Sequence, residues 1–248
     1  MTTTSQIVLV TGANKGIGFE IARQIARKGG YHVLIGARDV ERGKKAAATL
    51  TQEGLPVEFL QLDSNSDQSI AAAVEEVSTK FGRLDVLVNN AAVAFDSWDP
   101  AQGMPTREVF AKTFDTNTAG PALTTEAFIP LLSNALSGKP NIVFVSSDLG
   151  SAGSLADPEG RYKGMPLYFP AYRSSKTALN ILALIFHSRF REKGWRVNID
   201  NPGFTATDLN DQKGSGSIED GAKNAVRLAT LADDTRGTYS EKEGPIPW

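Results

Sequence analysis

Ile7-Val8-Leu9-Val10-Thr11-Gly12-Ala13-Asn14-Lys15-Gly16-Ile17-Gly18 decides the fold. Ile7 to Val10 is an unbroken apolar run. A strand wet on one side would alternate, so this one reads as buried on both faces, as in a parallel sheet. Three glycines follow with G-xxx-G-x-G spacing, and Gly16 to Lys28 then carries Ile17, Ile21 and Ile25 at the four-residue interval of a helix. Glycines allow a tight turn and close backbone approach, and the N-terminus of a helix offers free N–H groups to a phosphate. Any βα turn can use glycine, but between a buried strand and an amphipathic helix the pattern points to a dinucleotide pyrophosphate. Gly12, Asn14, Lys15, Gly16, Ile17 and Gly18 are therefore the first candidate binding residues.

The alternation continues outward. Tyr31 to Ile35, Val57 to Gln61, Asp85 to Val88, Asn141 to Val145 and Arg196 to Ile199 read as strands. Val40 to Gln52, Ser69 to Phe81 and Ala171 to Phe190 read as helices. Strand–helix alternation implies right-handed crossovers and a doubly wound parallel sheet in one α/β domain, a Rossmann fold. The 248 residues suit one such domain, and 41% hydrophobic residues supply its core. Gly150 to Pro170 and Asn210 to Ser217 are left as loop-rich stretches.

Composition removes several classes of function. Lys and Arg total 26 against 28 Asp and Glu, with no block of one sign, which argues against a nucleic-acid surface or a basic membrane patch. There is no cysteine, so thiol nucleophiles, zinc–thiolate sites and disulfides are out. His32 falls in a strand and His187 in the long helix, both structural by placement, and no HExxH or carboxylate cluster marks a metal. The start of the chain lacks the charge and apolar run of a secretory signal, and no apolar run approaches the roughly 18 residues of a membrane span. A cytoplasmic location is expected.

The second strand ends at Arg38, where an acidic residue would hold a ribose 2′-hydroxyl. An arginine suits a 2′-phosphate through its charge and forked donors, and Lys15 in the glycine turn can approach the same group. Arg38 could instead pair with Asp39. Together the two cations favour NADP(H) over NAD(H).

Thr11 to Gly18, Val88-Asn89-Asn90-Ala91-Ala92, Tyr172-Arg173-Ser174-Ser175-Lys176 and Pro202-Gly203, in that order, resemble the motifs of the short-chain dehydrogenase/reductase family over nearly the whole chain. The long spacing before Tyr172, Pro202 to Leu209 and the Gly-Pro-Ile-Pro-Trp ending resemble its carbonyl-reductase-like branch. The resemblance implies that Asp63 bonds the adenine amino group, that Asn90 and Ala91 line the adenosine ribose, and that the stretch from Pro202 and Gly203 through Thr205 and Thr207 meets the nicotinamide amide. It also implies that Ser147, not Ser146, bonds the substrate oxygen, that Lys176 holds the nicotinamide ribose, and that Asn117 holds a water in a proton relay.

The chemistry itself can be argued from the residues. Tyr172 and Lys176 stand one helical turn apart. A free tyrosine, with a pKa of about 10, is a poor acid–base group at neutral pH, and a cation one turn away should lower that value. Tyr162 and Tyr168 have no lysine four residues on. The expected reaction is reduction of a ketone or aldehyde by NADPH with Tyr172 as proton donor. An NAD(H)-linked alcohol dehydrogenase and a non-catalytic NADP(H)-binding sensor are the alternatives; Arg38 weighs against the first and the full set Asn117, Ser147, Tyr172 and Lys176 against the second.

Ser147 and Tyr172 lie 25 positions apart, which implies an insertion around residues 151–170. With a flap around residues 204–217 it would shape the substrate pocket, whose walls are expected from Val93 to Trp98, Leu149 to Phe169 and Phe204 to Ser217. These walls suit a moderately hydrophobic small carbonyl compound. The helix after Tyr172 is apolar nearly all round and should be covered on both sides, by the insertion in a monomer or by a second subunit in a homodimer.

Overall fold

The computed structural model describes residues 4–96, 104–164 and 168–248. Strand β1 (Gln6–Thr11) leads through the glycine turn into helix α1 (Gly16–Arg27). Then follow β2 (Tyr31–Ala37), α2 (Val40–Gln52), β3 (Val57–Gln61), α3 (Asp67–Phe81) and β4 (Val86–Asn89). A continuous helical run comprises α4 (Arg107–Phe114), a π-helical segment (Asp115–Ala119) and α5 (Gly120–Leu132). The chain continues as β5 (Asn141–Val145), a short α6 (Ala152–Ala156), α7 (Pro170–Phe190), β6 (Arg196–Asp200), α8 (Ile218–Ala229), β7 (Tyr239–Glu241) and β8 (Gly244–Pro245).

These strands form one sheet in the order β3-β2-β1-β4-β5-β6-β7-β8. All neighbouring pairs are parallel except β7 with β8. The single α/β domain with a doubly wound sheet is as the sequence implies. The apolar run of β1 is explained by its two faces. Ile7 and Leu9 join Phe144, Phe128 and Leu179 in the core under α3, α5 and α7, while Val8 and Val10 join Ile21, Ile25 and Val226 under α1 and α8. Strand order reverses between β1 and β4, and the carboxyl ends of the strands there open into a crevice, the place where doubly wound sheets bind ligands.

The strand read at Asp85 begins one residue later. Asp85 is buried and its carboxylate accepts hydrogen bonds from the N–H of Ile7 at 2.7 Å and of Leu136 at 2.6 Å, and from Arg83 Nε at 3.2 Å. It ties the start of β4 to β1 and to the turn before β5.

Helix α7 buries Leu179, Ala183, Phe186 and Phe190, but Ile181 and Ile185 are each 55% exposed. Of the two covers the sequence allows, residues 151–164 and 168–170 do not supply one on that side: α6 is tied instead to the C-terminal segment, where Ser151 Oγ donates to the Pro247 carbonyl at 2.5 Å and Gly153 N–H to that of Trp248. Among the described residues, no helix is long and apolar enough to cross a membrane.

Candidate active site

The crevice at the strand ends is a cavity of about 650 Å³. Gly12, Asn14, Lys15, Gly16, Ile17, Gly18, Arg38, Asp63, Asn90, Ala91, Ser147, Tyr172, Lys176, Pro202, Gly203, Thr205 and Thr207 all line it. Of the expected catalytic and cofactor-binding residues, Asn117 does not line it and lies buried behind its wall.

The glycine turn approaches the end of β4 too closely for a side chain at two of its glycines. Gly12 has φ +62°, and a Cβ there would stand 2.9 Å from Ala91 Cα. A Cβ on Gly18 would stand 2.3 Å from Asn90 Nδ2. Asn90 is needed where it is: its N–H meets Thr11 Oγ1 at 2.9 Å, and its amide donates to the Thr11 and Gly12 carbonyls at 2.9 and 3.3 Å. The turn is thus pressed against the end of β4, with the N-terminus of α1 facing the open cavity. This cradle fits a pyrophosphate.

At one end of the cavity Arg38 is exposed and, among the described residues, holds no ion pair. Asp39, its alternative partner, caps α2 by accepting the Arg42 N–H at 2.9 Å. Arg42 also lines this end and was not singled out by sequence, where a charge in the first turns of a helix reads as surface. Lys15 lies across the mouth, its Nζ 2.5 Å from Asp208 Oδ2. Asp208 belongs to the stretch after β6, which folds back on itself: Gly216 N–H donates to the Phe204 carbonyl at 2.9 Å, and Asn210 Nδ2 to that of Thr205 at 2.8 Å.

At the other end are the hydroxyl groups. Ser147 follows β5; its Oγ accepts from the Leu149 N–H at 3.2 Å and donates to Asp148 Oδ1 at 3.4 Å, and it lines the cavity together with Tyr172. Ser146 is turned away, donating to Asn180 Oδ1 at 2.6 Å. Tyr239, another residue without a sequence signal, donates its hydroxyl to the Ser147 carbonyl at 2.5 Å and so fixes that segment. Tyr162, the rival tyrosine, is covered by Arg173, whose guanidinium carbon lies 4.8 Å from the ring centroid.

Lys176 is 2% exposed, with Nζ 2.8 Å from the Val145 carbonyl and 5.7 Å from the centroid of the Tyr172 ring. Burial brings its pKa down to about 7, against the pull of Asp200. Asp200 is buried at the end of β6, beside Val145 in register, and burial pushes its pKa up to about 7, opposed by the hydrogen bond from Asn224. The expectation that Lys176 lowers the Tyr172 pKa is not met. Burial raises the phenol well above its ordinary range; the Ser147 hydroxyl opposes this, and the charges of Asp148 and Asp96 reinforce it. Desolvation in a closed wall outweighs a lysine that is itself desolvated.

Asn117 sits in the π-helical segment. Its Oδ1 accepts from Val93 N–H at 2.8 Å, and its Nδ2 donates to the Val93 carbonyl at 2.8 Å and to Ser175 Oγ at 3.0 Å. Ser175 in turn donates to the Tyr172 carbonyl at 2.7 Å. Of the predicted pocket walls, Val93, Phe95, Leu149, Phe169, Phe204 and Leu209 do line the cavity, while Trp98 and residues 165–167 lie outside the described residues.

The family model of short chain dehydrogenases matches residues 6–217. The chain belongs to the short-chain dehydrogenase/reductase family. It is 37% identical to the short-chain dehydrogenase/reductase ATR10 of Stachybotrys chlorohalonatus, over 96% of this chain and 89% of that protein. It is 33% identical to carbonyl reductase [NADPH] 3 of Rattus norvegicus, over 97% and 96%. Among solved structures, salutaridine reductase from Papaver somniferum superposes with a TM-score of 0.79 at 28% identity, covering 94% of this chain and 98% of that one. NADPH-bound carbonyl reductase from chicken fatty liver gives 0.81 at 25% identity, over the full length of both. The dehydrogenase is thus carbonyl-reductase-like, an oxidoreductase of a family that uses a nicotinamide cofactor.

Proposed function

We propose that this dehydrogenase reduces a ketone or aldehyde to an alcohol with NADPH, Tyr172 giving the proton. The observation that carries the reading is that Ser147, Tyr172 and Lys176 line the wall of one groove together with the glycine turn, Lys176 one helical turn from Tyr172 and its Nζ 5.7 Å from the centroid of the phenol ring. NADPH, when bound, supplies the hydride. Gly12, Asn14, Gly16, Ile17 and Gly18 would cradle its pyrophosphate, and Arg38 and Arg42, with Lys15 released from Asp208, its 2′-phosphate. Asp63 would bond the adenine, Asn90 and Ala91 line the adenosine ribose, and Pro202, Gly203, Thr205 and Thr207 face the nicotinamide amide.

Ser147 donates a hydrogen bond to the substrate oxygen and holds it beside Tyr172. Burial keeps the phenol protonated at neutral pH, which is the form that can donate. As negative charge grows on the substrate oxygen, the phenolic proton passes to it, and Lys176, when protonated, steadies the tyrosinate left behind. Lys176 would also hold the nicotinamide ribose hydroxyls. The side chain of Asn117 is spent on Val93 and Ser175, so a water relay to Lys176 would run through its main chain. The apolar walls Val93, Phe95, Leu149, Phe169, Phe204 and Leu209 suit a moderately hydrophobic carbonyl compound. Relatives named neomenthol dehydrogenase and carbonyl reductase [NADPH] agree with that class.

The test is loss of reduced-nicotinamide absorbance with NADPH or NADH and a panel of ketones, quinones and aldehydes. Tyr172→Phe should lower kcat by about 10²-fold or more; full activity in that variant rejects the assignment. Arg38→Ala should weaken NADPH while leaving NADH nearly unchanged, and an unchanged preference would remove the case for the phosphorylated cofactor.

A further inference from the structure

Helix α7 begins without a cap of its own. Its N-cap residue, Phe169, is held at φ +61° and makes no side-chain capping bond, and Pro170 occupies the first turn. The cap comes from the loop after β4, far away in sequence. Asp96 Oδ2 accepts the Ala171 N–H at 2.5 Å, and both its carboxylate oxygens meet the Tyr172 N–H, at 3.2 and 3.1 Å. A carboxylate on these two N–H groups satisfies orphan donors and opposes the positive end of the helix dipole.

The same loop is pinned to the same helix at a second point. Val93 is held on both its N–H and its carbonyl by Asn117, which reaches α7 through Ser175. Ala91 to Phe95 line the cavity between these anchors. The wall segment and the helix bearing the phenol are therefore fixed to each other at residues 93 and 96.

We propose that Asp96 is a positioning residue for Tyr172, setting the phenol against the cofactor-side wall by capping α7 from outside. This rests on the role given to Tyr172 above. A capping interaction made by the element that also walls the cavity couples the two: moving one moves the other. The charged and titratable groups that face the phenol are Asp96 and Asp148, which disfavour its ionisation, the neighbouring Tyr239 hydroxyl, and Lys176. Asp96 thus sets place through its bonds and helps set acidity through its charge.

Asp96→Ala and Asp96→Asn should be compared with the parent in kcat across pH, NADPH Kd and thermal midpoint. Asp96→Ala should lower kcat roughly tenfold or more, the scale of a misplaced reacting group, with NADPH Kd within about twofold, since the pyrophosphate cradle is untouched. Asp96→Asn keeps an acceptor and should recover most of kcat. It also removes a negative charge, so the basic limb of the kcat profile should move to lower pH. Asp96→Ala with kcat within twofold of the parent, or an unmoved limb in Asp96→Asn, overturns the proposal; the second outcome stands even if Asp96→Ala fails to fold. Full activity in Tyr172→Phe would reject the proton-donor reading itself, whereas an inactive Tyr172→Phe beside a normal Asp96→Ala rejects only the inference.

Discussion

The cavity has two sides built on different principles. The cofactor side, from β1 to β4, is made of backbone: a parallel sheet, Gly12 and Gly18 without room for a Cβ, and Asn90 bonded to the main chain of the turn. The substrate side, between β5 and α7 and after β6, is held by side chains. Arg161 bonds Asp148 at 2.8 Å and Glu241 at 2.5 Å, Tyr239 holds the Ser147 carbonyl, and Asp208 reaches Lys15. Backbone geometry admits few sequences, while polar side-chain ties admit many. The first side fixes what every ligand of the cavity must share, and the second is free to vary with the substrate.

That contrast can be broken by experiment. Phe144 is fully buried in the sheet and packs on Phe186 with ring centroids 5.9 Å apart. Phe144→Ala should cost about 3–5 kcal/mol in denaturant unfolding, because the cavity left in a two-sided core cannot collapse. Gly18→Ala should leave the fold standing but push Asn90 off the turn. If the turn shifts out of its binding geometry to relieve an overpacking of about 1–3 kcal/mol, NADPH binding by fluorescence titration should weaken about fivefold to 150-fold. Arg161→Ala should change stability least, by less than about 1 kcal/mol for a half-exposed ion pair, and should appear instead as a raised substrate KM. If Arg161→Ala lowered the thermal midpoint as far as Phe144→Ala, the division between a rigid and a variable side would fail.

The same division governs what could be read from sequence. The runs Ile7 to Val10 and Asn141 to Val145, the glycine turn and the Tyr172–Lys176 spacing are local patterns imposed by local geometry. The helical run through α4 and α5 shows no legible period, because Pro121 and Pro130 and its threonines hide it. Helix α8 presents mostly small residues (Gly221, Ala222, Ala225 and Ala229) that pack closely without the signature of large apolar ones. Among site residues, Asp96, Tyr239 and Asp208 act on partners 75 to 193 positions away, and no local pattern announces such a contact. The acidity of Tyr172 cannot be read from spacing, which reports the neighbouring charge but not the burial of both groups.

The π-helical segment at Asp115–Ala119 has a consequence for how this scaffold tolerates change. Each residue of an α-helix turns the chain by about 100°, so the wide turn acts as a phase shift in one rod. Upstream of it Thr113 is buried, and downstream Thr124, Thr125 and Phe128 are buried, with Asn117 aimed at Val93 between them. Removing one residue there would leave a well-formed helix whose two halves no longer address the sheet and the site together.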